Sequence, residues 1–215
     1  MLTAVDEQSY PVSFSVEYPD RDLDRVSTAF RIFAAIPILI VVSFIRPDTY
    51  SGEWWWYGFA IVGALGTAGL VVVPTGLLIL FRSKYPRWWF DWNIELLRFA
   101  NRVGVYLALM DDHYPSTDER QSVALDFAYP DVANLERGLV LVKWLMAIPH
   151  YVVLFFLWIG VFFAVIGAWF AILLTGRYPR GIFEYVEGVF RWHNRVLGYA
   201  WVLVTDRYPP FRLSA

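Results

Sequence analysis

Apolar and polar residues alternate at the start of the chain, where Val12, Phe14 and Val16 are separated by Ser13 and Ser15. A period of two is the mark of a strand with one buried face. The same pattern returns at Val123, Leu125 and Phe127, predicting a second strand over 123–128. Each run leads into Tyr-Pro-Asp, at Tyr18–Asp20 and Tyr129–Asp131. Proline fixes φ and disfavours helix in the residue before it, so both sites read as turns.

Long apolar runs follow. In the first half, 26–45 and 57–81 each reach about the 20 residues a helix needs to cross roughly 30 Å of hydrocarbon. The loop between them contains Arg46 and the run Trp54-Trp55-Trp56, residues suited to a membrane interface. In the second half, 138–174 must supply two helices and their turn, with Gly160 as the bend; a re-entrant hairpin fits that length as well. Pro37 and Pro149 fall at matching places in the first apolar segment of each half, which predicts a kink at each.

The period then becomes helical. Asp91, Glu95, Arg98 and Arg102 recur at steps of four, three and four, one polar stripe on a helix over 88–110, with Trp88, Trp89 and Trp92 beside it. Arg180, Glu184, Glu187, Arg191 and Arg195 repeat the design over 180–204, where Trp192 is the neighbouring aromatic. Two placements follow. The helices lie at the membrane surface with charge toward water or headgroups, or their stripes face each other inside the membrane. The first is favoured, because burying so many charges is costly.

Aligned positions tie the halves together. Leu23, Arg25, Arg31, Ile36 and Pro37 match Leu135, Arg137, Lys143, Ile148 and Pro149. Tyr85-Pro86-Arg87 matches Tyr178-Pro179-Arg180, and Arg98, Asn101, Arg102, Val103 and Tyr106 match Arg191, Asn194, Arg195, Val196 and Tyr199. Order and spacing persist across separate blocks, which is the signature of a repeat. The expected organisation is a tandem duplication, 1–116 and 117–215, joined through the polar run Ser116–Ser122. The expected fold is a mainly α membrane protein: four transmembrane helices in two hairpins, two amphipathic interfacial helices and short cytoplasmic β-strands.

Composition supports a membrane setting. Hydrophobic residues make up 58% of the 215, against about 45–50% in soluble domains, and mean hydropathy is +0.44. The 11 Trp, 13 Tyr and 17 Phe fit bilayer interfaces. If both halves cross twice, every Lys and Arg except Arg46 lies on the side of the two termini. The positive-inside rule makes that side cytoplasmic. A net charge of −2 points away from nucleic acid, and the absence of cysteine excludes disulfides and thiolate chemistry.

Candidate chemistry is sparse. The expected anchors to lipid headgroups or the interface are Arg31, Lys143, Arg87, Arg98, Arg102, Arg177, Arg180, Arg191, Arg195, Trp88, Trp89 and Trp192. Long cationic stems can carry their charge back to headgroups, and guanidinium forks match phosphate oxygens. No nucleophile elbow, zinc helix, phosphate loop or dinucleotide fingerprint occurs, so neither a catalytic set nor a cofactor or metal is expected. His150 stands where the first half has Ile38.

The run Ala147-Ile148-Pro149-His150, then Ala168–Leu173, Thr175–Arg180, Arg191-Trp192, Arg195-Val196 and Thr205–Phe211 resembles bacterial membrane proteins grouped as domain of unknown function 4389. The resemblance covers most of the second half; the first keeps Tyr-Pro-Arg but has Arg82-Ser83-Lys84 in place of Thr-Gly-Arg. It implies a multi-pass protein of the bacterial inner membrane and supplies no activity. The functional expectation is a non-enzymatic accessory or scaffold subunit, with membrane lipids and other subunits or copies of itself as partners. The alternatives are a small oligomeric channel or transporter, and a lipid-headgroup enzyme using Arg177, Arg180 and His150.

Overall fold

A computed structural model describes residues 10–45, 69–82, 84–117, 119, 121–131, 135–136 and 138–215. The elements in order are β1 (Val12–Val16), α1 (Arg25–Ala29), α2 (Arg31–Ile45), α3 (Gly69–Arg82), α4 (Arg87–Leu107), β2 (Val123–Phe127), α5 (Leu139–Met146), α6 (Ile148–Thr175) and α7 (Arg180–Ala200).

Both predicted strands form, and they pair with each other. β1 and β2 are antiparallel with Val12 opposite Phe127 and Val16 opposite Val123. Val12, Phe14, Val16, Leu125 and Phe127 are buried, while Ser13, Ser15, Ala124 and Asp126 face outward. The sheet is therefore apolar beneath and polar above, as the alternation requires.

The two halves exchange strands. β1 lies on α7, with Val12 beside Gly198 and the Phe14 ring stacked on Phe190 at 5.8 Å. β2 lies on α4, where Arg98 Nε donates to Leu125 O at 2.8 Å. Arg191 Nε donates to Phe14 O at 2.9 Å in the aligned contact. Beyond the strands, Tyr18 donates its hydroxyl to Tyr178 O and Tyr129 donates to Tyr85 O. Under the sheet the helices meet at Asn101 and Asn194, whose amides donate to each other at 3.1 and 2.7 Å.

The polar stripes thus divide: Asp91, Glu95, Arg180 and Glu184 stay exposed, while other members turn to the strands. Arg98 and Arg191 reach strand carbonyls, and Glu187 Oε1 accepts the Val16 N–H at 3.2 Å. A strand's backbone needs hydrogen-bonding partners as much as charge needs water, and here each satisfies the other. Both amphipathic helices also stop short of their predicted ends. Leu109 (φ 64°) and Leu203 (φ 61°) adopt the left-handed conformation at aligned positions, reversing the chain.

The four-helix, two-hairpin arrangement is overturned. In the second half α5 and α6 continue through Ala147 with helical bonds, Ala147 N to Lys143 O and Tyr151 N to Ala147 O. No turn interrupts 148–175, so the predicted hairpin over 138–174 is one helical rod. Gly160 is not a bend: a Cβ there would overlap the Tyr185 hydroxyl, so its bare backbone permits close packing of α7. Pro149 is the second residue of α6, just past the Ala147 junction with α5, and Pro37 lies inside α2. Among the described residues, Leu139–Thr175 alone is long and apolar enough to cross a membrane by length and composition. Of the first-half spans, 26–45 is covered by α1 and α2, and the described part of 57–81 lies in α3. Arg46, Trp54–Trp56 and residues 57–68 lie outside the described residues.

α7 is sandwiched. Glu187, Arg191 and Gly198 turn toward β1, whereas Ile182, Tyr185 and His193 turn toward α6. At about 100° per residue these two sets fall on opposite sides of the helix. On α6, in turn, His150, Leu154, Trp158, Val161, Ala168 and Ile172 form the buried stripe. Val152, Phe155, Phe156, Phe162, Phe163, Ile166, Phe170 and Leu174 form the exposed one.

Candidate functional site

Two buried cations stand at aligned positions. Arg31, 2% exposed, donates from Nη1 to the carbonyls of Tyr106 and Asp111, pairs with Asp112 Oδ1 at 2.5 Å, and lies over the Tyr106 ring at 4.3 Å. Lys143, 0% exposed, donates to Thr205 O at 2.8 Å, pairs with Asp206 Oδ1 at 2.7 Å, and faces the Tyr199 ring at 5.4 Å. Asp112 also accepts the Asp24 N–H, and Asp206 the Glu136 N–H. Each cation therefore ties the first apolar helix of its half to the reversed chain after the amphipathic helix. These two side chains do not reach outward as headgroup anchors, because carbonyls and a carboxylate within the fold already compensate the charge.

The remaining predicted anchors divide. Trp192 is buried and donates its Nε1–H to His150 Nδ1 at 3.0 Å. Arg195 is buried against Arg212 O, and Arg102 donates to Ser116 O. Arg191 also holds the C-terminal tail through Leu213 O and pairs with Glu187 at 2.5 Å. Arg98 pairs with Glu95 and Asp126. Trp89 donates to Thr75 Oγ1. Outward positions are kept by Trp88, 69% exposed, and by Arg87, which lies over the Tyr129 ring. Arg177 and Arg180 are also exposed, pairing with Asp22 and Asp20.

A further polar group centres on Asp111. Its carboxylate accepts the Ser122 hydroxyl at 2.5 Å and both the backbone N–H and ring Nδ1 of His113. Burial alone would raise its pKa, but these bonds to the charged form outweigh burial and hold it below the usual carboxylate range. It lines a polar cleft of about 780 Å³ with Glu17, Asp20, Arg21, His113 and Glu119. Asp111 sits between hydroxyl and imidazole, so the imidazole is not placed to take a proton from Ser122, as a nucleophilic triad would require. The motif was readable only as Asp-Asp-His; the part of Ser122, eleven residues on, arises from the fold.

The other two histidines are held neutral by their donors. Indole N–H can only donate, so His150 Nδ1 accepts from Trp192, and His193 Nδ1 accepts from Trp158 at 3.4 Å. His150 is further stacked on Phe211 at 4.0 Å between ring centroids. Burial pushes His193 down to about 4. Among the described residues no three His, Asp or Glu side chains gather as a metal site.

Searches of curated proteins and of solved structures find no match to the chain. The model of a family described as a domain of unknown function (DUF4389) matches residues 137–212. That stretch contains α5, α6 and α7, both buried histidines, and the Arg212 carbonyl that Arg195 holds. Residues 137–212 of this chain are thus similar to the DUF4389 family.

Proposed function

We propose that the chain is a non-enzymatic component of the bacterial inner membrane, an accessory or scaffold subunit. It meets lipids and other subunits, or copies of itself, through its apolar helix faces, and both ends of the chain are on the cytoplasmic side. The observation that carries this reading is the unsheathed face of α6: only 22% of its most apolar window is buried within the chain. A long charge-free apolar surface needs lipid or a partner to cover it. The cations best placed to grip a substrate, Arg31, Lys143, Arg98 and Arg191, are engaged by the chain's own carbonyls and carboxylates, which favours a structural part. Trp88, Arg87, Arg177 and Arg180 remain the candidates for contact with headgroups.

We further propose that the halves arose by tandem duplication. Supporting it are the contacts that recur at aligned residues: Arg31 with Asp112 and Lys143 with Asp206, and Arg98 with β2 and Arg191 with β1. The scaffold reading is tested by extracting the protein from native membranes in mild detergent and measuring its mass. An assembly larger than the 25.0 kDa chain, containing further copies or a stoichiometric partner, is expected. A lone monomer overturns it.

A further inference from the structure

We infer that α6 lies along the plane of the membrane, with its free apolar stripe sunk into one leaflet, and that it does not cross the bilayer. The inference rests on the membrane setting proposed above and concerns how the protein meets the lipid.

The first ground is the order of layers. Polar outer sheet face, α7, α6 and exposed apolar stripe follow one another along a single direction, with α7 separating β1 from α6. Such a slab has one face for water and one for lipid. Laid flat, it puts each face in its own medium.

The second ground is what a crossing would drag along. α7 runs antiparallel beside α6: Tyr199 Oη meets Met146 Sδ at 3.6 Å, Tyr185 donates to Leu157 O at 2.9 Å, and Gly167 lies beside Ile182. The stretch of α6 free of Asp, Glu, Lys, Arg and His starts after His150 and ends at Thr175. Any 20 consecutive residues of it therefore stand level with Glu184 and Glu187 of α7, and Glu184 is exposed. Toward its N-terminal end such a stretch is also level with β1 and with the Arg191 and Glu187 charges that hold its edge. Lipid does not accept an exposed carboxylate, and charges taken into hydrocarbon are costly.

The third ground is length. The 28 residues of α6 extend about 42 Å at 1.5 Å per residue, against roughly 30 Å of hydrocarbon. A flat helix has no such mismatch. Its exposed stripe continues through Phe155, Phe162, Phe170 and Leu174 without a charge, and the slab's ends are marked by the exposed Trp144 and the Arg177–Asp22 pair.

The chain has no cysteine, so single cysteines can report position without a background. Glu136→Cys and Arg177→Cys flank the two ends of the rod outside the apolar stripe, and Ser13→Cys marks the outer sheet face. Labelling with a membrane-impermeant maleimide in inside-out and right-side-out vesicles should modify all three from the cytoplasmic side. Nitroxides at Phe156→Cys and Phe170→Cys should lie at one depth in oxygen and nickel relaxation, although they are about 21 Å apart along the helix. Ends labelled from opposite sides, or two nitroxides at clearly different depths, would overturn the flat placement and leave the membrane setting intact. Release of the unmodified protein by alkaline carbonate would instead overturn the membrane setting itself.

Discussion

Removing the carboxylate of Asp112 while leaving Arg31 in place tests how the fold holds a buried cation. The guanidinium is 2% exposed and its Nη2 faces Asp112 Oδ1 at 2.5 Å. In Asp112→Ala the cation keeps the carbonyls of Tyr106 and Asp111 but loses its counter-charge, and the Asp24 N–H loses its acceptor. Breaking a buried pair in this way costs about 3–5 kcal/mol. The two surviving carbonyl contacts place the expected loss at the lower end, about 3 kcal/mol. For a chain of this size each kcal/mol moves the midpoint by about 2–4 °C, so Tm should fall by about 6–12 °C. Replacing both partners, Arg31→Met with Asp112→Leu, removes the stranded charge and should lose clearly less than the single variant. Thermal unfolding of purified protein in one detergent, followed by circular dichroism, reads both. A single variant within 2 °C of the parent, or a double variant worse than the single, refutes the buried-pair reasoning.

Other outcomes follow from the same geometry. Asn101→Leu leaves the buried Asn194 amide without its reciprocal partner, so a loss of about 1–3 kcal/mol is expected in the same unfolding measurement. Gly198→Ala sets a Cβ 2.6 Å from Val12 Cγ2 and 3.1 Å from Phe127 Cε1; it should destabilise by about 1–3 kcal/mol and speed amide exchange in β1 and β2 first. His193 has a folded pKa of about 4, below its unfolded value near 6.5, so the unfolded chain binds the extra proton between those values. Stability should therefore fall as pH drops from about 6.5 toward 4, and His193→Phe should flatten that slope in unfolding curves taken across the window.

Much of the local structure is legible in the residue pattern. Period two at Val12, Phe14 and Val16 and again at Leu125 and Phe127 marks each strand's buried face, and the steps of three and four from Asp91 to Arg102 mark a polar stripe. The positions from Ala147 to Phe211 that carry the family resemblance span most of the matched DUF4389 segment. These features are local: backbone geometry sets where side chains point, so spacing alone reveals a face.

What each face meets is settled only in three dimensions. A polar stripe on α7 is equally satisfied by water, by headgroups or by the carbonyl of Phe14, and nothing local distinguishes them; the strand exchange decides. Arg31 and Lys143 look like residues with stems long enough to reach headgroups, yet Asp112 and Asp206, far along the chain, hold them inside. Gly160 without a Cβ suits a bend or a close approach, and the Tyr185 ring selects the approach. Hydropathy of α6 establishes that it avoids water, since transfer energies add along a chain. Hydropathy has no direction, so whether that helix stands in the bilayer or lies along it depends on α7 and the sheet packed behind it.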